Sequence, residues 1–424
     1  MKKRYALAGA SGRGFMMYGR NIVNNYADVA QVVGIFDPNY LRAGFVRDNL
    51  DKDIPTYTDF DKMIEETKPD CVIVTTMDSF HHEFIIRSLD AGCDVICEKP
   101  MTIDAQKTQE ILDAEKRNGR KIIVTFNYRF IPYVTRVKEL IREGAIGDVV
   151  AVDYEWLLDK RHGADYFRRW HKWMKNGGGL LVTKATHHFD MVNWWLDQDP
   201  VKVYANGALS FYGPQHAKDG KRSVRCTGCP YKKECELPFQ GFDDITTRNA
   251  DPMMKARANH LKGMYFDAES VDGYYRDQCL FANCDIYDNM SSTVTYSGGT
   301  ILTYSLQAFS PLEGVKFAIN GTYGRIEGEA VASAIGHTDL SFQLRVYNAK
   351  GEMVQYKIPQ GQGPHGGGDM RMLDKIFRGN DSDPLGHMAG SRDGAMSVLV
   401  GAAANLSIKE DRPLYIKDMV HLYE

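Results

Sequence analysis

The segment DVICEKPM, residues 94–101, places two opposite charges directly behind an apolar run that is typical of a buried strand. Glu98 and Lys99 form the charge pair, and Pro100 cannot donate to a backbone ladder, so the strand should end here. Burial would lower the pKa of the lysine toward a useful range, whereas the adjacent glutamate would favour its charged form. The segment therefore predicts a lysine that exchanges a proton, and the alternative is a surface ion pair at a strand end.

Chemistry of a different kind is indicated by GASGRG, which follows the first apolar run of the chain. Gly9, Ser11 and Gly14 take the three glycine positions of a dinucleotide fingerprint, with serine in the middle. A strand pattern precedes the loop and a helical pattern follows it, so backbone N–H groups and the helix dipole would face a pyrophosphate. The alternative is a tight glycine turn before a helix cap. The predicted cofactor loop consists of Gly9, Ser11, Gly12, Arg13 and Gly14.

Asp37 closes the next apolar run, about 28 residues after Gly9. A carboxylate at this position can accept hydrogen bonds from a ribose diol, and it would repel a 2′-phosphate. The predicted cofactor is therefore NAD, which is favoured over NADP.

The elements that position the glycine loop, Asp37 and Lys99 can be identified from the pattern of residues 4–126, where short apolar runs alternate with stretches of helical periodicity. The pattern predicts strands that cross over through helices into a doubly wound parallel sheet, the Rossmann form of an α/β fold. In such sheets ligands bind beyond the carboxyl ends of the strands, so Lys99 should face the crevice. We assign residues 1–126 to a dinucleotide-binding domain.

The length of 424 residues favours two domains rather than one hydrophobic core. A net charge of -3 gives no general attraction to nucleic acid or to an acidic membrane, so the expected partner is a small molecule. No run approaches the ~18 apolar residues that cross a bilayer. The apolar stretch near the first residue is too short for a secretory signal, which predicts a cytoplasmic protein.

The second predicted domain covers residues 127–424 and has α+β character. A helix pattern follows Pro132, and from residue 290 alternating strands are separated by glycine turns, which predicts a sheet of hairpins.

Before the triple glycine, HGADYFRRWHKWMKN combines guanidinium donors with indole faces and suits a hydroxylated or anionic sugar. A solvated amphipathic helix is the alternative for this stretch. Its candidate substrate residues are Arg168, Arg169 and Trp170.

Residues 212–285 form a polar, weakly periodic insertion that carries CTGCPYKKEC and CLFANC. Four thiols could close a tetrahedral site around zinc or, less favourably, hold an iron–sulfur cluster; they could equally be free or disulfide-linked. In each case the role would be structural, not catalytic. The four are Cys226, Cys229, Cys235 and Cys279.

Taken in order, the glycine loop, TTMDSFHHEF, EKP, FNYRFIP and GGGLLVTKATHHFD resemble the Gfo/Idh/MocA oxidoreductases, the glucose-fructose oxidoreductase and inositol dehydrogenase family. The resemblance extends over most of the chain. It implies a nicotinamide dinucleotide in the first domain and a large open, mostly antiparallel sheet in the second. It also implies a sugar or polyol substrate and a homo-oligomer, dimer or tetramer, that associates through that sheet.

The same resemblance implies that Lys99 and His187 lie beside the nicotinamide. Removal of a hydride from a carbinol carbon also requires a base for the hydroxyl proton, and these two side chains can supply it. Thr183 departs from the family pattern, which has an aspartate there, and Lys184 beside it favours a neutral imidazole at His187. The implied cofactor residues beyond the loop are Asp37, Thr75, Thr76, His81, Glu98, Lys99 and Asn127. The substrate residues are Lys99, Arg168, Arg169, Trp170, Thr183 and His187.

The sequence thus predicts an NAD-dependent oxidoreductase that transfers a hydride between a secondary hydroxyl of a carbohydrate and nicotinamide. One alternative is a glycoside hydrolase that oxidises its substrate transiently with a retained NAD, eliminates the aglycone and returns the hydride. A second alternative is a cofactor-sensing protein without catalysis.

Overall fold

The computed structural model describes residues 1–239, 262–333, 342–359, 361, 364–379 and 382–421. Its first sheet has six strands in the order β3-β2-β1-β4-β5-β6, and all of its strand pairs are parallel. All four residues of the central strand β4 are buried, as expected for a parallel strand covered on both faces. The strands are Lys3–Ala8 (β1), Ala30–Phe36 (β2), Thr56–Tyr57 (β3), Cys71–Val74 (β4), Asp94–Cys97 (β5) and Ile122–Val124 (β6).

Helices connect these strands, and their ends follow ordinary capping chemistry. The Asp104 side chain accepts the Lys107 N–H at the start of one helix, and Gly119, with φ 61°, ends that helix in the left-handed conformation. A π-helical turn at Gly14–Gly19 leads from the glycine loop into the first helix. The helices are Arg20–Asn25 (α1), Tyr40–Leu50 (α2), Phe60–Thr67 (α3), His81–Asp90 (α4) and Ala105–Asn118 (α5).

The second sheet has nine strands in the order β14-β13-β12-β11-β7-β10-β9-β8-β15. Strands β7 and β10 pair in parallel, and the other described pairs are antiparallel. The strands are Val149–Asp159 (β7), Pro200–Ala208 (β8), Asn289–Tyr296 (β9), Ile301–Ser310 (β10), Glu313–Gly321 (β11), Gly324–Ser333 (β12), Phe342–Asn348 (β13), Met353–Ile358 (β14) and Leu414–Tyr415 (β15).

The remaining helices cover this sheet and join it to the first one. The last helix packs on α5 of the first domain, on two helices of the second domain and on β8. A Cβ on its Gly401 would lie 2.3 Å from the Leu181 carbonyl oxygen, so only glycine allows this close approach. The helices are Pro132–Arg142 (α6), Lys160–Arg168 (α7), Met174–Gly177 (α8), Leu180–Thr183 (α9), Thr186–Leu196 (α10), Glu269–Asp272 (α11), Gly368–Arg378 (α12) and Ser391–Glu410 (α13).

The predicted fold class is confirmed in both halves: a doubly wound parallel sheet is followed by a domain with a large, mostly antiparallel sheet. The domain boundary at residues 126 and 127 remains a prediction. Part of the predicted insertion, residues 240–261, lies outside the described residues. Of the helices in the described ranges, none is both long enough and apolar enough to cross a membrane.

Candidate active site

The glycine loop packs directly on the residues that follow β4. Gly9 has φ 101°, and a Cβ there would lie 2.8 Å from the Thr75 carbonyl group. Thr75 Oγ1 donates to the Gly9 carbonyl oxygen at 2.7 Å, and Ser11 Oγ accepts the Gly14 N–H at 3.1 Å. A Cβ on Gly14 would lie only 2.6 Å from the Gly9 carbonyl oxygen. Two of the fingerprint positions therefore require glycine, and the serine at the third stabilises the loop.

Asp37 ties the end of β2 to this loop. Its two carboxylate oxygens accept the Ala10 N–H at 2.9 Å and the Asn39 N–H at 2.8 Å, and Arg42 lies 3.4 Å from one of them. Burial raises the pKa of Asp37 above its ordinary value, although Arg42 acts in the opposite direction. The predicted ribose-binding carboxylate is thus buried beside the loop that the dinucleotide would contact.

Part of the insertion covers the same region. The Tyr265 hydroxyl accepts the Gly12 N–H at 2.8 Å, and Asp272 lies 2.6 Å from Arg42. Asn39 Nδ2 donates to the Ala268 carbonyl oxygen at 2.8 Å. This segment, residues 262–272, was not assigned to the cofactor site from the sequence, because more than 200 residues separate it from the glycine loop.

Glu98 pairs with an arginine of the glycine loop. Arg13 Nη2 lies 2.8 Å from Glu98 Oε1, which also accepts the Tyr18 hydroxyl at 2.8 Å. Burial by itself raises the pKa of Glu98, but Arg13 and Lys99 lower it, and the net pKa lies below its ordinary value. Glu98 is thus buried and pairs with Arg13, whereas Lys99 is only partly buried and makes its own contact elsewhere. The structure therefore does not show the alternative, a surface ion pair between Glu98 and Lys99.

Lys99 reaches from the end of β5 to the second domain. Its Nζ donates to the Thr183 carbonyl oxygen at 3.2 Å. Burial lowers the pKa of Lys99, while Asp78 and Glu98 act in the opposite direction, and the net pKa lies below its ordinary value. The ammonium is thus more acidic than that of a solvated lysine, in the direction that proton exchange requires.

Asp78 is a site residue that the sequence analysis missed, although it lies in the TTMDSFHHEF motif. Its Oδ2 accepts the Thr183 hydroxyl at 2.7 Å, and burial raises its pKa against the opposing influence of His81 and Lys99. The resemblance implies an aspartate where this chain has Thr183. In this chain a carboxylate of the first domain, 105 residues earlier, accepts the hydroxyl of that threonine.

His187 lies near the start of α10, four residues after the threonine that Lys99 contacts. Its ring stacks on Tyr128 with centroids 4.1 Å apart, and its Nδ1 has no hydrogen-bond partner among the described residues. Burial, and then the positive charge of Lys99, hold the pKa of His187 well below its ordinary value. The ammonium of the first domain thus contacts the last residue of α9, and the neutral imidazole of the second domain lies four residues later, near the start of α10.

Asn127 lies beside this pair on the turn that follows β6. Its Nδ2 contacts Asp369 and the ring of His365, while its buried Oδ1 has no partner among the described residues. Phe126 packs edge-on against His187 with centroids 6.2 Å apart. An unsatisfied amide oxygen next to a buried imidazole is a place where a polar cofactor edge can bind.

Both ring nitrogens of His81 lie within hydrogen-bond distance of backbone carbonyl oxygens. Its Nδ1 lies 2.8 Å from the Pro100 carbonyl oxygen and its Nε2 lies 3.1 Å from the Thr76 carbonyl oxygen. The ring therefore joins the end of β4 to the turn that carries Lys99. A direct contact of His81 or Thr76 with the cofactor remains a prediction.

The three substrate candidates of the aromatic stretch have different surroundings. Arg168 is buried and donates to Cys226 Sγ at 3.2 Å and to the carbonyl oxygens of Gln278 and Leu237, so it supports the insertion. Arg169 lies 3.2 Å from Asp165, and Trp170 stacks on the neighbouring His171 ring. A role in substrate binding remains a prediction for all three.

The cysteine segments lie against each other. The Cys226 N–H donates to the Asp277 carbonyl oxygen at 2.7 Å and the Cys279 N–H donates to the Val224 carbonyl oxygen at 3.0 Å. All eight cysteines are free thiols. Among the described residues, no group of three or more His, Cys, Asp or Glu side chains is placed to hold a metal ion. Of the alternatives left open for the four thiols, the structure therefore agrees with free thiols and not with a tetrahedral metal site.

These residues fit a nicotinamide dinucleotide. The glycine loop leaves no room for side chains against β4, and the Asn127 oxygen and His187 nitrogen are buried without partners among the described residues. A family model of the Gfo/Idh/MocA oxidoreductases, described as an NAD-binding Rossmann fold, matches residues 3–126. A second, described as the C-terminal alpha/beta domain of the same family, matches residues 138–416. The chain belongs to this oxidoreductase family.

Individual relatives agree with this assignment. A protein of Bacillus subtilis (strain 168) named as an oxidoreductase, YteT, is 34% identical over an alignment of 437 positions, gaps included, that covers 99% of this chain and 99% of that protein. An inositol 2-dehydrogenase of Rhizobium meliloti (strain 1021) is 31% identical over 140 residues, 33% of this chain and 40% of that protein. The WlbA dehydrogenase from Bordetella pertussis, solved in complex with NADH and UDP-GlcNAcA, shares the fold with a TM-score of 0.65 and 15% identity, covering 98% of this chain and 99% of that one.

Proposed function

We propose that the protein is an NAD-dependent oxidoreductase that transfers a hydride between a secondary hydroxyl of a sugar, polyol or sugar derivative and nicotinamide. The observation that carries the proposal is the contact of Lys99 Nζ with the Thr183 carbonyl oxygen, at 3.2 Å. This contact joins a lysine of the dinucleotide-binding half to the segment that carries His187. Membership in the oxidoreductase family and the inositol dehydrogenase among its relatives support the same activity.

The proton chemistry follows from the two pKa directions. A lysine with a lowered pKa can donate a hydrogen bond to the substrate oxygen and stabilise the negative charge that develops on it. A neutral imidazole at His187 can accept the hydroxyl proton on a ring nitrogen. The nicotinamide ring, when bound, supplies the hydride acceptor. Asn127 would orient the cofactor edge through its unpartnered oxygen.

The choice of NAD over NADP rests on Asp37. Its carboxylate is buried at the end of β2 and would repel a 2′-phosphate at this position. Arg42 lies close by, but Asp37 and Asp272 engage its guanidinium. We expect the ratio of kcat/KM for NAD over NADP to exceed about 10 because of this arrangement.

We also propose that the chain forms a homo-oligomer through the nine-stranded sheet. One face of the sheet carries alternating charges in ion pairs, including Arg325 with Glu327 at 2.8 Å and Arg345 with Glu329 at 3.0 Å. Charges of both signs at regular spacing suit association with a second copy of the same surface. Light scattering on the eluting peak of a gel-filtration column measures the mass directly, and a monomeric mass would contradict this proposal.

A redox-assisted glycoside hydrolase is the second candidate function. Tyr265, Ala268 and Asp272 contact the cofactor loop and the start of α2, and thereby cover the predicted dinucleotide site, which suits a retained cofactor. In that reaction the hydride returns to the substrate, so no NADH accumulates while the aglycone is released.

One experiment separates these candidates. Purified protein is incubated with NAD and a panel of sugars, polyols and aryl glycosides, while NADH absorbance and released aglycone are followed together. Stoichiometric NADH with the sugars supports the dehydrogenase, and aglycone without NADH supports the hydrolase. NAD binding without either product over the whole panel would refute both and would favour a cofactor-sensing protein.

A further inference from the structure

A buried lysine lies beside the candidate active site, with no counterion among the residues that the structure describes. Lys184 is 7% exposed and follows the helix turn that contains Thr183. Its Nζ lies 4.9 Å from the centre of the Trp156 ring. Within the described ranges, no hydrogen bond or ion pair joins this Nζ to another residue. Among the described residues, the ammonium of this buried lysine therefore has an aromatic ring as its neighbour but no hydrogen-bond acceptor.

Two neighbouring nitrogen atoms lack a partner as well. Trp156 Nε1 and His188 Nε2 are buried and make no hydrogen bond to any described residue. The Trp156 and His188 rings lie 4.5 Å apart, and Trp156 also lies 6.2 Å from Tyr128, on which His187 stacks. The unpartnered group is therefore continuous with the proposed catalytic pair.

The chemistry of these groups defines the missing partner. An ammonium and an indole N–H only donate, so the partner must be an acceptor. Burial and the nearby charge of Lys99 lower the pKa of Lys184 to about 8, and Glu313 is the carboxylate that acts in the opposite direction. The carboxylate of Glu313 accepts from His162 Nδ1 at 2.9 Å and is not within ion-pair distance of Lys184. The site has an excess of positive charge, which suits an anionic ligand.

We infer that Lys184 and the indole N–H of Trp156 bind the carboxylate of a sugar acid, a uronate or its glycoside, whose hydroxyl is oxidised at Lys99 and His187. The inference rests on the proposed function and specifies its substrate class. A neutral sugar would leave both donors unsatisfied, so it should be a poorer substrate than the matching acid.

The test compares matched pairs of ligands, galacturonate with galactose and glucuronate with glucose. Binding to the protein saturated with NADH is measured by calorimetry, and NADH production from NAD is measured in parallel. At least one acid should bind and react with a kcat/KM about 10²-fold above that of its neutral partner, as for a hydrogen bond to a charged group.

Variants connect this preference to the site. Lys184→Met should lower kcat/KM for the acid by about 10²-fold and change that for the neutral sugar by less than about threefold. Trp156→Phe keeps the aromatic face but removes the N–H, and should lower kcat/KM for the acid by about tenfold. Lys172→Met is the matched control, because Lys172 is also buried and lies 5.4 Å from an indole ring, that of Trp173. It should leave the preference for the acid unchanged.

Thermal melting provides a readout that does not depend on activity. Lys184→Met removes a buried charge without a counterion, so its melting temperature should equal or exceed that of the wild type, as expected when a binding residue is retained at the expense of stability. Acid binding that Lys184→Met abolishes, without NADH production, would uphold the carboxylate-binding site and refute the proposed function. Equal binding and turnover of acids and neutral sugars, or no binding of either acid, would overturn the inference.

Discussion

At the scale of single residues, one negative charge near Lys99 comes from Asp78. The resemblance implies an aspartate at position 183, where this chain has a threonine whose hydroxyl donates to Asp78 Oδ2 at 2.7 Å. Asp78 acts against the lowering of the Lys99 pKa. The carboxylate is thus retained near the lysine although it comes from a different part of the chain.

We predict that Asp78→Asn makes Lys99 more acidic. Removing the negative charge lowers the pKa of Lys99 further, so the ammonium loses its proton at a lower pH and kcat falls earlier as the pH rises. On this high-pH limb we expect kcat to be several-fold lower in Asp78→Asn than in the wild type at the same pH. Thr183→Val removes the hydrogen bond to Asp78 but keeps the Asp78 carboxylate. In this variant the pH above which kcat falls should therefore be the same as in the wild type. An unchanged limb in Asp78→Asn would show that Asp78 does not act on Lys99.

A second prediction at this scale concerns the pH dependence of the base. The pKa of His187 lies well below the ordinary 6.5 because of burial and the charges of Lys99, His365 and Lys184. The imidazole therefore stays neutral as the pH falls through 6.5, and kcat/KM for a neutral sugar should be constant between about pH 6 and pH 8. A protonation limb near pH 6.5 in this profile would mean that the base is solvated.

At the scale of elements, the insertion segment 262–272 determines access to the glycine loop. The Gly12 amide is one of the groups predicted to bind the pyrophosphate, and the Tyr265 hydroxyl accepts its hydrogen at 2.8 Å. A dinucleotide that uses this amide must displace the hydroxyl. The segment and the cofactor therefore compete for one backbone donor.

We expect Tyr265→Phe to bind NAD about three- to tenfold more tightly, because the competing hydrogen bond is worth about 1 kcal/mol. Fluorescence titration of NADH measures the change in Kd. Tyr274→Phe is the matched control, since this exposed tyrosine lies nine residues further along the same region. Weaker binding in Tyr265→Phe would indicate that the hydroxyl contacts the cofactor instead of competing with it.

Elements with strong patterns were predictable, and short ones were not. Strands β1, β2, β4, β5 and β6 are near-continuous apolar runs, which identify parallel strands covered on both faces. Strand β3 has two half-buried residues, Thr56 and Tyr57, which is too short for any periodicity. Strand β8 was also missed, because its exposed and buried positions do not alternate strictly.

The site residues that lie in local sequence motifs were predictable, and those that meet only through tertiary structure were not. Lys99 and His187 stand in motifs that the chain shares with its family, and the structure brings their segments together. The contacts of Arg168 with Leu237 and Gln278, at separations of 69 and 110 residues, depend on how the insertion folds back. The same holds for Lys184 and Trp156. Side chains that meet only through tertiary structure have no signal in local sequence.

At the scale of the whole molecule, a buried ion pair links the turn after β6 to two helices of the second domain. Arg129 is 2% exposed and donates through Nε to Asp190 at 2.9 Å. Its Nη2 also lies 2.9 Å from Asp393, at the start of α13. Helix α13 packs against α5 and β6 of the first domain and against α9, α10 and β8 of the second. By holding α13, this arginine contributes to the relative placement of the two domains and so of Lys99 and His187.

We predict that Arg129→Met lowers the free energy of unfolding by about 3–5 kcal/mol, since it leaves the buried Asp190 carboxylate without its partner. Urea denaturation followed by circular dichroism measures the loss. Arg136→Met removes a half-buried arginine that pairs with Glu139 at 2.8 Å on the same helix, and should cost less than about 1 kcal/mol. Equal effects of the two substitutions would contradict a special contribution of the buried pair.

The central claim is that an ammonium of the first domain and an imidazole of the second act on one carbon beside a bound nicotinamide. The most direct test is to measure NADH production and NAD binding together in Lys99→Ala, with the best substrate of the panel. We predict that kcat falls by about 10²-fold or more while the Kd for NAD changes by less than about threefold. Undiminished NADH production by Lys99→Ala would contradict the claim.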